Sequence, residues 1–134
     1  MSTPRVPVSD ATRTMTLDVT REAVARIRAR GGEVVFVRPP SQAPLRALEQ
    51  AQIPRTRGWD ALLADAGVAG AHYDDYSSMQ GLDLPEWSHL SRACATVFTD
   101  AYVRALAALT PRLALRGDAP AELSPRDCPS VSAP

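Results

Sequence analysis

"RARGGEVVFVRPPS", Arg28 to Ser41, decides how this chain is read. The run from Glu33 to Val37 is short, continuously apolar and rich in β-branched residues, the pattern of a strand buried on both faces. Two glycines precede it and two prolines follow it. Pro39 and Pro40 cannot continue a ladder, so the chain must leave the sheet after Arg38. Upstream, "DVTREAVARIRARGG" has helical spacing: Val24 and Ile27 share a face with Ala23, Asp18 or Thr20 can cap its start, and Gly31-Gly32 ends it. Arg26, Arg28 and Arg30 crowd its last turns, where cations suit the helix dipole. Helix, glycine stop, buried strand and loop make half of a βαβ unit.

The pattern continues downstream. "APLRALEQAQ" predicts a short helix. "TRGWDALLADAG" predicts a second, with Trp59, Leu62 and Leu63 on one side and Gly67 as its stop. "VAGAHYDDYS" predicts a short strand around Ala71 to Tyr73 that opens into an acidic, tyrosine-bearing loop. After "GLDLPEWSHLS", Ser91 is placed to cap a long helix in which Cys94, Phe98, Ala101, Ala105 and Leu109 keep helical spacing until Thr110-Pro111. Residues 1–17 read as an irregular lead-in, 18–110 as the α/β region, and 111–134 as a disordered Pro/Ala-rich tail. The fold class expected is α/β, with about two parallel strands and flanking helices.

Composition narrows the function. The 134 residues are 45% hydrophobic and 22% charged, as in a soluble globular domain. Fifteen basic residues balance fifteen acidic ones, so no global field draws in nucleic acid or an anionic membrane. Every basic residue is Arg and the chain contains no Lys, which excludes a Schiff-base or P-loop lysine within it. It contains no Asn either. Cys94 falls in the last helix and Cys128 in the tail; the expectation is a buried thiol and a free one. No metal site or cofactor is expected. "HYDD", His72 to Asp75, has residue types that suit a divalent cation but lacks ligand spacing, and a strand end carrying acids is common. No stretch approaches the roughly 20 apolar residues of a membrane span. No secretory signal is read at "MSTPRVPVSDATRT". The chain is expected to be soluble as written, its compartment undetermined.

"LPEWSHLS", Leu84 to Ser91, carries the chemistry. In an open parallel α/β sheet, functional groups gather in loops at the C-terminal strand ends. Both "RPPS" and the loop holding His89 follow strands and belong to that edge. A histidine there can take and return a proton near neutral pH, and a carboxylate on one ring nitrogen fixes its tautomer. Glu86, three residues earlier, is the candidate orienter; Asp83 is the fallback. Trp87 is read as an anchor packing the loop onto the core. Ser88 is too close in sequence to serve as nucleophile to His89. Arg38 is read as a strand-end salt bridge, for example with Glu33 or Asp74.

A strand, a loop with acid-x-x-His and a terminal helix resemble the last block of the SGNH/GDSL hydrolases, with Glu86 and His89 at the family's Asp and His positions. "HLS" before the long helix and "RARGGEVVFVRPPS" upstream extend the resemblance over roughly residues 18–109. It implies a partial three-layer α/β/α fold of the flavodoxin-like SGNH type, contributing about two strands of a roughly five-stranded sheet. It implies ester hydrolysis, with O-acyl or O-acetyl esters as the substrate class. Glu for Asp keeps the carboxylate but lengthens its reach. The family's Gly-Asp-Ser nucleophile motif has no counterpart in this chain, and its oxyanion Asn cannot be present. Losing one oxyanion donor costs about 10²–10³ in rate, and losing the nucleophile removes the covalent route. The implied role is the histidine-bearing C-terminal part of a hydrolase, inactive alone, acting on a small ester only when completed by an N-terminal half. The other reading is a non-catalytic, truncated or partner-binding α/β module, with a protein partner at an exposed sheet edge.

Overall fold

A computed structural model describes residues 7–129. Four α-helices surround a sheet of two parallel strands. Helix α1 spans Asp10–Ala29, strand β1 Val35–Arg38, α2 Leu45–Gln52, α3 Trp59–Ala66, β2 Ala69–His72 and α4 Arg92–Leu109. Short 3-10 turns at Tyr73–Asp75, Ser77–Met79 and Pro125–Asp127 complete the order. No described helix is long and apolar enough to cross a membrane.

The α/β class expected from the glycine-strand-proline stretch is present. The pairing runs in parallel register from Val35 opposite Ala69 to Arg38 opposite His72. Both strands therefore end together, and the loops after Arg38 and His72 leave from one edge. Alternation sends neighbouring strand residues to opposite faces. Val34 and Phe36 pack with Val24 of α1 and with Leu63, Ala66 and Val68 in and just after α3. Ala71, on the other face, packs with Ala101 and Ala105 of α4, together with Tyr73 and Met79. Helices thus cover both faces. Gly70 lets α3 sit directly on β2: a Cβ there would lie 2.7 Å from Cζ2 of Trp59.

Three expectations need correction. Helix α1 begins at Asp10, not near residue 18, so the stretch read as an irregular lead-in is helical from there. Ser9 is the N-cap, its hydroxyl accepting from the Thr12 N–H. Inside the helix, the hydroxyls of Thr16 and Thr20 donate back to the carbonyls of Thr12 and Thr16. Those bonds satisfy β-branched polar residues that look like loop formers in sequence. At the other end the glycine stop is as expected. Gly31 has φ +77°, its N–H donates to the Arg28 carbonyl, and the Gly32 N–H donates to the Ile27 carbonyl. That is a Schellman closure.

The second correction is β1, which is half-buried along its whole length rather than enclosed. Its only strand neighbour among the described residues is β2, so its other edge is open. The third is the tail. Cys128 is buried and forms a disulfide with Cys94, so neither described cysteine is free. Leu123 packs on the same cluster, and its backbone N–H donates to Asp100 at 2.8 Å. Leu123 and Cys128 therefore bring the C-terminal segment back to α4. The outer portions of the expected lead-in and tail, 1–6 and 130–134, lie outside the described residues.

Candidate active site

The loop between the Ser77–Met79 turn and α4 carries Asp83, Glu86 and His89. Two buried leucines, Leu82 and Leu84, root its first leg in a cluster with Cys94, Val97 and Cys128; Leu90 roots its second. The Ser91 N–H donates to the Asp83 carbonyl at 2.9 Å and ties the two legs. Between them the Trp87 N–H donates to the Leu84 carbonyl at 2.9 Å. That bond closes a β-turn with Pro85 at its second position, where a fixed φ is favoured. Ser91 then caps α4 with its hydroxyl toward the Cys94 N–H.

The loop after β1 holds this turn from the side. The Gln42 N–H donates to the Trp87 carbonyl at 2.9 Å, and Gln42 Nε2 donates to the Leu82 carbonyl at 2.7 Å. The expectation that both loops share one sheet edge is met, and they are hydrogen-bonded to each other. Gln42 ties the two loops together, a link that sequence reading missed. Its only signal was its place immediately after "RPPS".

Trp87 differs from expectation. It is the one non-glycine described residue at positive φ, +64°, and its side chain is about half exposed. Its backbone anchors the loop; its indole does not. A bulky residue in the left-handed region costs of order 1–3 kcal/mol, so the surrounding bonds must hold it there.

The turn brings Glu86 and His89 together, with Oε2 3.3 Å from Nδ1. Asp83 makes no ion pair with His89 among the described residues; its carbonyl serves the loop closure instead. Ser88 Oγ is 3.1 Å from the same Nδ1. A serine nucleophile has to meet the ring nitrogen that the carboxylate does not hold. Ser88 is on the wrong nitrogen, as its adjacency in sequence implied. Nε2 of His89 has no protein partner among the described residues. A carboxylate on Nδ1 and an open Nε2 are what the base half of a triad requires. The pair is 77% and 78% exposed, however, and water screens such a contact to a fraction of a kcal/mol. Covering it would strengthen the orientation by lowering the local dielectric.

His72 is the buried histidine. Its ring stacks on Tyr73 at 4.9 Å and meets Trp59 edge-on at 5.5 Å. Burial, reinforced by the charge of Arg55, holds its pKa below the ordinary histidine value. Its Nδ1 accepts from the Asp74 N–H at 3.2 Å, which leaves the ring proton on Nε2. No group of three or more metal-ligating side chains occurs among the described residues. The carboxylates are taken by guanidinium groups: Asp74 by Arg46 at 2.8 Å and Asp75 by Arg55 at 2.7 Å. Arg38 does form a strand-end salt bridge, but with Glu49 of α2 at 2.7 Å rather than with Glu33 or Asp74. Glu33 pairs with Arg112 instead. Burial raises the Glu49 pKa, yet hydrogen bonds from Ser41 and Arg38 outweigh it and the net shift is downward.

A cavity of about 340 Å³ opens beside the strand ends, lined by Arg38 and His72 but not by Glu86 or His89. Comparison of the chain with protein-family models, with curated proteins and with solved structures found no match.

Proposed function

We propose that this chain is the base-bearing part of a serine-type ester hydrolase of the SGNH/GDSL kind, completed by a nucleophile-bearing α/β segment outside this sequence. The observation that carries the reading is the Glu86–His89 pair, with Nδ1 held at 3.3 Å and Nε2 open. The loops that hold it lie at the C-terminal edge of a parallel sheet, where such sites form. On this reading the fold is part of a three-layer α/β/α domain whose remaining strands add to the open edge of β1. Val35, Tyr102, Leu106 and Leu113 line a groove near that edge, and Met15, Val19 and Ile27 leave an apolar stripe exposed on α1. Apolar surface of this kind is what an added strand and helix would bury. His89 would accept the serine proton and pass it to the leaving alcohol, while Glu86 stabilises the imidazolium. The substrate class is a small O-acyl ester.

The test uses the full chain, alone and mixed with the polypeptide encoded directly upstream. Turnover of a chromogenic acetyl ester and labelling by a serine-directed phosphonate are expected only in the mixture, and are lost in His89→Ala. Absence of turnover and labelling in both preparations would defeat the enzyme reading. The second reading, a non-catalytic partner-binding module, is favoured by the exposure of the pair and by the open β1 edge. It predicts complex formation without labelling.

A further inference from the structure

The cavity at the ends of β1 and β2 is separate from the Glu86–His89 loop. Arg38 and His72 are register partners and point to the same face of the sheet, toward α3. Trp59 and Leu62 supply apolar wall, and Arg46 closes another side with its guanidinium 5.5 Å above the Tyr73 ring. A volume near 340 Å³ is at the lower end of small-ligand sites.

The hydrogen-bonding inventory of this lining is one-sided. Its carboxylate and imidazole acceptors are occupied. Glu49 gives Oε1 to Arg38 and Oε2 to Ser41. The nearby carboxylates of Asp74 and Asp75 give both oxygens to Arg46 and Arg55. His72 Nδ1 is taken by a backbone N–H. Its donors are not. Arg38 and Arg46 each engage a carboxylate through Nη2 alone, so Nε and Nη1 of both have no protein partner among the described residues. Nε2–H of His72, on a side chain that is 7% exposed, is likewise without a partner among them. Unused N–H donors on two guanidinium groups and an imidazole, beside an aromatic wall, suit a carboxylate as acceptor.

We propose that this cavity binds a small organic carboxylate, its carboxylate held by Arg38, Arg46 and His72 and its apolar body against Trp59 and Leu62. The site stands apart from the proposed hydrolase role and does not depend on it.

The experiment titrates sodium benzoate into the full chain carrying Trp87→Phe, so that Trp59 is the only tryptophan. The Trp59 indole and His72 ring resonances are followed by NMR. Benzamide, and inorganic phosphate at matched ionic strength, are titrated in parallel. The expected result is a saturable shift of both resonances with a midpoint of about 1 mM. Arg38→Gln and Arg46→Gln should each weaken it about tenfold, while Arg112→Gln, placed away from the cavity, leaves it unchanged. Two arginine variants are used so that loss of folding in one, seen by circular dichroism, leaves the other to decide. No saturation by benzoate overturns the proposal. So does an equal response to benzamide or to phosphate, or a benzoate response that both arginine variants retain.

Discussion

The Cys94–Cys128 bond closes a loop of 34 residues that begins in the first turn of α4 and returns beneath the site loop. Cys128 packs with Leu82, Leu84 and Cys94, and Leu90 and Leu123 pack against that cluster. The same cluster thus seats both the C-terminal segment and the two legs that present Glu86 and His89. Reduction is the cleanest perturbation, because it breaks the cross-link and leaves every packing atom in place. For a separation of 34, the chain-entropy relation gives an upper value of about 3.8 kcal/mol at 25 °C. Residual structure in the unfolded chain lowers that, so a loss of about 2–4 kcal/mol is expected. With a urea slope of about 2 kcal/mol/M, the midpoint should fall by about 1–2 M on reduction. Far-UV circular dichroism with and without a phosphine reductant reads the shift. Hydrogen exchange at residues 82–90 should rise in the reduced protein, since their seat is loosened first. Before reduction, iodoacetamide in denaturant should add nothing to the intact mass. Two adducts on the unreduced chain, or a midpoint unmoved by reductant, would refute the reasoning.

Three further expectations follow from the geometry. Gly70→Ala puts a methyl 2.7 Å from Trp59 and 2.8 Å from Leu63. Overpacking of about 1–3 kcal/mol, offset by about 0.4–1 kcal/mol of unfolded-state entropy, should give a net loss in urea unfolding and an altered near-UV signal from Trp59; a more stable variant would mean α3 does not rest on that glycine. Gln42→Ala leaves the Leu82 carbonyl without its side-chain donor and should cost about 1 kcal/mol, with faster exchange at residues 82–87 and unchanged exchange in α1; uniform change across the chain would count against a local role. The third concerns acid. His72 has its pKa held down in the fold, so the unfolded chain takes the proton first, and stability present above about pH 6.5 is lost as pH falls below it. Asp100, held below the ordinary carboxylate range by Arg104 and the Leu123 N–H, withdraws its share only at lower pH, as pH falls through its folded pKa. Thermal midpoints should therefore drop in two stages, and His72→Gln should abolish the upper one; a single stage, or an upper stage kept by that variant, would sink the assignment.

Local signals that act within a few residues were legible in the sequence. The glycine pair that closes α1, the prolines that end β1, Gly67 after α3 and Ser91 before α4 each do their work through their own backbone or their own short side chain, and each stands where the pattern placed it. The Glu86–His89 contact was legible for the same reason, because Pro85 makes a turn that folds three residues back on themselves. Two of the misreadings depended on partners distant in sequence, and one on local bonds that poor helix formers conceal. The first turns of α1 look unstructured because threonines are poor helix formers. They are helical once Ser9 caps them and their hydroxyls bond back along the helix. Cys94 and Cys128 looked unrelated because spacing says nothing about proximity when the segment after α4 has no period. The partner of Arg38 could not be read either: Glu33 and Asp74 stood as its candidates, and Glu49 came into reach only when α2 was placed over the strand end.

The sequence by itself determined an α/β chain with two short parallel strands, a capped terminal helix and a carboxylate-histidine turn at the strand ends. Tertiary structure alone decided that the C-terminal segment is bound beneath that turn, that Gln42 ties the two edge loops together and that Arg38, Arg46 and His72 share one donor-rich cavity. The physical reason is range. Caps, turns and periodicity are set by neighbours along the chain, whereas cross-links, ion-pair choice and cavities are set by packing between segments that only the fold brings together.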